Sequence, residues 1–126
     1  MPNKRDLKLT EYGITMEQYR ELYYHCRQYD DMRRRLWTMG AGQEWVAVRL
    51  RTERDIKEME QTAIEIAPKF AQELLYCIVH DVPGESPEKP WRQSIYNRLR
   101  REYYARMAMR RNMIPARSLS LDKNRL

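Results

Sequence analysis

The residues of greatest chemical promise are arginines. Seven of them, Arg92, Arg98, Arg100, Arg101, Arg106, Arg110 and Arg111, stand between Trp91 and Arg111, opposed only by Glu102. A guanidinium offers a rigid fork of N–H donors that fits phosphate oxygens, or the edge of guanine, in pairs, so arginine without lysine suits nucleic-acid contact. Aromatic side chains interleave with them, in Trp91-Arg92 and from Arg100 through Tyr103 and Tyr104 to Arg106. That pattern fits a helix that packs its rings inward while the guanidinium groups reach a duplex. On this reading Arg92, Arg98 and Arg101 supply base-edge or phosphate contacts, and Arg100, Arg106, Arg110 and Arg111 mainly phosphates. Asn97 supplies an amide of the kind that pairs with an adenine edge. Stacking of single strands on the tyrosines is the less favoured form of the same chemistry, because the ring spacing matches a buried stripe. The bland alternative is a solvated helix face that keeps the chain soluble.

Other candidate chemistry is thinner. Arg33-Arg34-Arg35 is a second basic cluster, but Asp30 and Asp31 precede it, so a local salt-bridged surface is at least as good a reading as phosphate contact. His25-Cys26 and Cys77-x-x-His80 supply the ligand types of a tetrahedral zinc site, yet adjacent helical residues diverge by about 100° and rarely share one ion. Both cysteines fall on apolar stripes, where a thiol behaves as a small hydrophobe. There is no glycine-rich phosphate cradle and no Ser, His and Asp arrangement, and Glu58, Glu60 and Glu65 read as a solvated charged face. The expectation is a protein without enzymatic activity, metal or cofactor.

The elements that must position these residues follow from composition and spacing. The chain has 126 residues and a net charge of +6, with 42% hydrophobic and 33% charged residues, enough apolar content for one small packed domain. The charge is uneven: residues 1–90 sum to −2, residues 91–111 to +6 and the rest to +2. No apolar run of about 18 residues offers a membrane span, and the charged first residues do not read as a signal peptide. With two widely spaced cysteines, a reducing cytoplasm is the expectation. Val, Ile and Thr number only 16, which leaves too few strand formers for a sheet.

An all-α domain of about five helices is therefore expected over residues 1–113. Thr15 and Gln18 form a capping box that starts a helix at Met16. Its apolar face is Tyr19, Leu22, Tyr23, Cys26 and Tyr29, and Asp30 and Asp31 cap a short second helix, making an N-terminal pair over 16–39 that ends at Gly40-Ala41-Gly42. Central helices follow over 43–80. The stripe Val46, Leu50, Ile56, Met59, Ala63 and Ile66 marks one long helix or two joined near Thr52, packed within the chain or against a second copy. Pro68 fits the first turn of the next helix, which runs through Leu74, Leu75, Ile78 and Val79 to His80. The segment Asp81 to Pro90, with three prolines and a glycine, is a loop. The basic C-terminal helix spans 91–112, with Trp91, Ile95, Leu99, Tyr103 and Met107 in an i,i+4 row and Tyr96, Leu99 and Tyr103 holding it on the body. Residues 114–126 read as a flexible basic tail.

With these residues in place, the chain resembles the RinA/ArpU-type phage late-gene transcriptional regulators. The N-terminal likeness is carried by Leu9, Tyr12-Gly13-Ile14, Tyr19, Glu21-Leu22, Cys26 and Gln28-Tyr29, the central one by Glu65-Ile66-Ala67-Pro68 and Leu74-Leu75, and the C-terminal one by Tyr96, Leu99, Arg100-Arg101 and Tyr103-Tyr104. The resemblance covers about two thirds of the chain. It implies a helix-turn-helix like the last region of sigma factors and a role in late-gene transcription, activating in that family, with activation and repression both open for this chain and RNA polymerase or another regulator protein as a further candidate partner. One departure stands out: where that family has a short helix before its arginine-rich one, this chain has the shorter Val82-Pro83-Gly84-Glu85-Ser86-Pro87. The leading expectation is a homodimeric phage or prophage regulator binding duplex DNA through its last helix. The alternatives are a phage protein-binding module that grips an acidic partner, and a small DNA-packaging subunit.

Overall fold

The computed structural model describes residues 9–82 and 86–115, and within them the chain is all helical, with no strand. A 3-10 turn, Leu9–Tyr12, leads to α1 (Met16–Cys26) and α2 (Tyr29–Thr38). A second 3-10 turn, Gln43–Trp45, runs directly into α3 (Val46–Ile66), and α4 (Ala71–His80) and α5 (Gln93–Arg110) complete the set.

The first helix starts where its cap dictates. Thr15 Oγ1 accepts from the Gln18 backbone N–H at 3.1 Å, and Gln18 Oε1 accepts from the Thr15 N–H at 3.0 Å, so two backbone donors that the helix leaves open are satisfied reciprocally. Gly13 turns the chain into this cap at φ +80, where a Cβ is disfavoured. α2 begins at Tyr29, with Gln28 at the N-cap position, two residues earlier than a cap at Asp30 requires and three earlier than one at Asp31. Both lie inside its first turn, where their charge still suits the positive end of the helix dipole. α3 passes through Thr52 unbroken, and Pro68 lies in the turn before α4 rather than in its first turn. α5 closes on Asn112 at φ 61, with the Met113 N–H bonded to Ala108 O at 2.8 Å, an arrangement in which asparagine stands in for the usual glycine.

α3 packs against α2, α4 and α5, while α5 also meets α1, α4 and the first 3-10 turn. Ile56, Met59 and Ala63 of the expected α3 stripe are buried in this way, so the stripe folds back within the chain. Leu50 of the same stripe stays 62% exposed. α5 supplies Tyr96, Tyr103, Tyr104, Ala105, Met107 and Ala108 to the core, all at 1% exposure or less. These residues surround much of the helix rather than one stripe, as in a helix enclosed by its neighbours. Tyr103 Oη donates to Met59 O at 3.1 Å, which satisfies a fully buried hydroxyl. Of the expected α5 row, Tyr103 and Met107 are buried, Trp91 and Leu99 half-buried and Ile95 37% exposed. The packing reaches past the expected tail boundary to Ile114; residues 116–126 lie outside the described residues.

Residues 33–51 contain no buried residue at all. They comprise the distal part of α2, the Gly40-Ala41-Gly42 turn and the start of α3, forming a helical arm supported by the body only at its base.

Candidate nucleic-acid interface

The arginines of α5 divide by the way the helix faces. Arg92, at the N-cap position, and Arg98 are exposed, with Ser94 also exposed between them. Arg101 is half-buried, as is Asn97, whose Oδ1 accepts from Gln93 Nε2 at 2.9 Å and from Arg100 Nη2 at 3.1 Å. The other four turn toward the body. Arg100 is buried, lies 5.3 Å from the Tyr96 ring centroid and faces Asp81 at 3.8 Å. Arg106 and Arg110 both pair with Glu65 of α3, the first at 3.7 Å and the second in closer contact. Arg111 meets Glu58 of α3 at 3.7 Å and His25 Nε2 at 3.3 Å. The Nε atoms of Arg100, Arg101, Arg106, Arg110 and Arg111 are shielded from solvent, and the carboxylates facing Arg100, Arg106, Arg110 and Arg111 mean that the phosphate contacts expected of these four compete with partners already in place.

Electrostatics follow the geometry. Burial raises the Glu65 carboxyl, but its hydrogen bond to Arg110 and the charges of Arg110 and Arg106 hold it below the usual glutamate range. His25 is lowered, first by burial and then by the positive charge of Arg111. Glu58 and Glu65, read from the sequence as a solvated face, are the struts that receive α5. They stand seven positions apart, two turns on one side of α3, and that spacing was the available signal.

The link into α5 is packed. Tyr23 Oη donates to Asp81 Oδ2 at 2.6 Å, Trp91 stacks on Tyr96 with centroids 6.1 Å apart, and the Lys89 ammonium sits 4.4 Å from that same ring. Cys77 Sγ lies 3.6 Å from Glu88 O. α4 and α5 are thus joined by residues 81–92, where a helix-turn-helix uses a turn of about 3–4 residues.

The zinc candidates are placed differently from one another. Cys26 and Cys77 are free and buried, with thiols pushed up by burial to about 12 and about 11. His80 faces Asp30 at 3.2 Å. His25 instead keeps company with Asp55 and Glu58, their ligand atoms within 4.8 Å of one another, and Arg111 already brings positive charge to this group.

Sequence reasoning weighed Arg33-Arg34-Arg35 as a cluster but did not reveal the arm that carries them. It carries Arg33, Arg34, Arg35, Arg49 and Arg51 against Glu44, a net of +4, while the remaining described residues sum to −1. Trp37 is 88% exposed there. A cleft of about 570 Å3 opens between α2, α3 and α4, with Ala63, Ile64 and Leu75 among its apolar lining and Tyr29 and Tyr76 at its sides. No helix among the described residues is long and apolar enough to cross a membrane. No protein-family model matches this chain, and no curated protein or solved structure is significantly similar to it.

Proposed function

We propose that the protein is a non-catalytic, duplex DNA-binding transcriptional regulator of phage or prophage origin, acting as a homodimer in the cytoplasm of its bacterial host. The RinA/ArpU resemblance motivates the regulatory role. The observation that carries DNA binding is the N-terminal end of α5. There Arg92 and Arg98 stand exposed, on a helix whose later turns are fixed in the core by Tyr103, Tyr104 and Met107. A rigid element presenting its N-terminal residues is how recognition helices meet base edges. Arg92 and Arg98 make the contacts, Arg101 and Asn97 border them, and Arg100, Arg106, Arg110 and Arg111 serve chiefly to hold the helix in place.

Fluorescence anisotropy with duplexes from the protein's own genomic neighbourhood and a scrambled control tests this reading. A specific fragment should outcompete the control at about 200 mM salt, where phosphate contacts alone lose much of their affinity relative to about 50 mM. The Arg92→Ala, Arg98→Ala double variant should abolish the preference and keep its helicity. Unchanged discrimination in that variant removes α5 from the interface.

The cleft between α2, α3 and α4 favours a second reading. Its apolar lining with a polar rim of Asp30, Arg33 and Glu60 suits an amphipathic helix of a partner protein. A stoichiometric protein complex in pull-down, with no preference among duplexes, supports this reading over the first.

A further inference from the structure

The arm at 33–51 exposes two chemistries side by side. Trp37 stands three residues after Arg34 and four after Arg33, so all three share one face of α2. The indole is 88% exposed, which leaves a large apolar ring without cover. Arg33 forms no ion pair among the described residues, although Glu60 and Asp30 lie near enough to favour its charge. It donates to Tyr29 Oη at 3.4 Å, a hydroxyl that itself donates to Glu60, with its guanidinium 5.9 Å from the Tyr29 ring centroid. Arg34 pairs with Asp31 at 2.5 Å, with both side chains mostly in solvent, and such a pair yields readily to a stronger anion. Arg35 and Arg51 are exposed, and Arg49 is tied to Gly40 O at 2.6 Å, which braces the tip of the hairpin.

A partner for this face must offer negative charge and a flat apolar ring within a few ångströms of each other. A nucleotide in an unpaired strand does so in one unit: its phosphate takes the guanidinium fork and its base takes the indole. A duplex offers the same phosphates but keeps its bases stacked inside, and an acidic peptide must carry the charge and the ring on separate residues. A second copy is disfavoured, because it would set one arm of net +4 against another.

We propose that the α2–α3 arm binds single-stranded nucleic acid, with Arg33 and Arg34 on the phosphates and Trp37 stacked on a base. The site is separate from the N-terminal end of α5 and does not depend on the duplex reading.

The test is anisotropy of a labelled short oligo-dT with the full chain at about 50 mM salt, repeated with an abasic oligonucleotide of equal length and with a blunt duplex. Oligo-dT should bind about tenfold more tightly than the abasic strand, the size of one good stacking contact. Trp37→Ala should remove that advantage, and Trp37→Phe should keep most of it. Arg33→Gln with Arg34→Gln should weaken both strands and flatten their salt dependence. Because Trp37 lies outside the core, unchanged helicity and an unchanged melting midpoint in Trp37→Ala confirm that the loss is one of binding. Equal affinity for the oligo-dT and abasic strands, indifference to Trp37→Ala, or no binding to oligo-dT each overturns the proposal. The Arg92→Ala, Arg98→Ala variant separates the two sites, since it should leave oligo-dT binding intact whether or not duplex binding is lost.

Discussion

Glu65 receives Arg106 and Arg110 at once, and so decides whether two of the cations of α5 face the body or the solvent. Glu65→Gln should lower stability by about 1 kcal/mol, a figure kept small because the side chain remains one third exposed. It should also strengthen salt-sensitive binding to any polyanion, read by urea melts and by heparin retention. Tyr103 tests a different kind of contact. Tyr103→Phe removes a buried hydroxyl from Met59 O and should cost about 1 kcal/mol in the same melts. The thiols add a readout of tightness: Cys26, with no exposure and a thiol raised to about 12, should resist maleimide in the native protein and react only in denaturant. His25 titrates in the opposite sense from a histidine that gains a carboxylate. Its lowered value means that the unfolded chain takes up the proton first, so this contribution to stability is complete above about pH 6.5 and is lost as pH falls below it. His25→Gln should therefore flatten the decline in urea midpoint between about pH 7.5 and pH 5.5; an unaltered decline assigns it to other groups.

Legibility in the sequence followed the range of the interactions. The capping box of α1 lies within four residues, and its geometry matches the spacing of Thr15 and Gln18. Thr15→Ala should cost about 1 kcal/mol by thermal melting. The turn at Gly40-Ala41-Gly42 and the closure of α5 before Pro115 were equally local. Orientation across the fold was not legible in the same way. The i,i+4 row of α5 gave Tyr103 and Met107 correctly, but a single row cannot reveal that neighbours enclose the helix on several sides. Tyr104, Ala105 and Ala108 share its burial, and the arginines at 106, 110 and 111 bend back to carboxylates more than forty positions away. The arm was missed for the converse reason. Val46 and Leu50 read as core spacing, yet the body stops at Thr52, so Val46 is only half-buried and Leu50 62% exposed.

At the scale of the molecule, linear charge and spatial charge part company. The sequence concentrates its positive excess in residues 91–111, but folding sets Glu58, Glu65 and Asp81 against four of those arginines. Among the described residues the arm keeps a net of +4, with Arg34 the one of its five arginines in an ion pair. One further consequence comes from the central place of α5. Synthesis delivers α1 through α4 first, and α1, α3 and α4 lack the helix against which part of their apolar faces belongs until α5 emerges. Tyr19, Leu22, Met59 and Ala63 would meet water during that interval. A nascent chain halted before residue 93 should therefore be held by ribosome-associated chaperones or cleared by proteases, whereas release of α5 should let the whole body condense in one cooperative step.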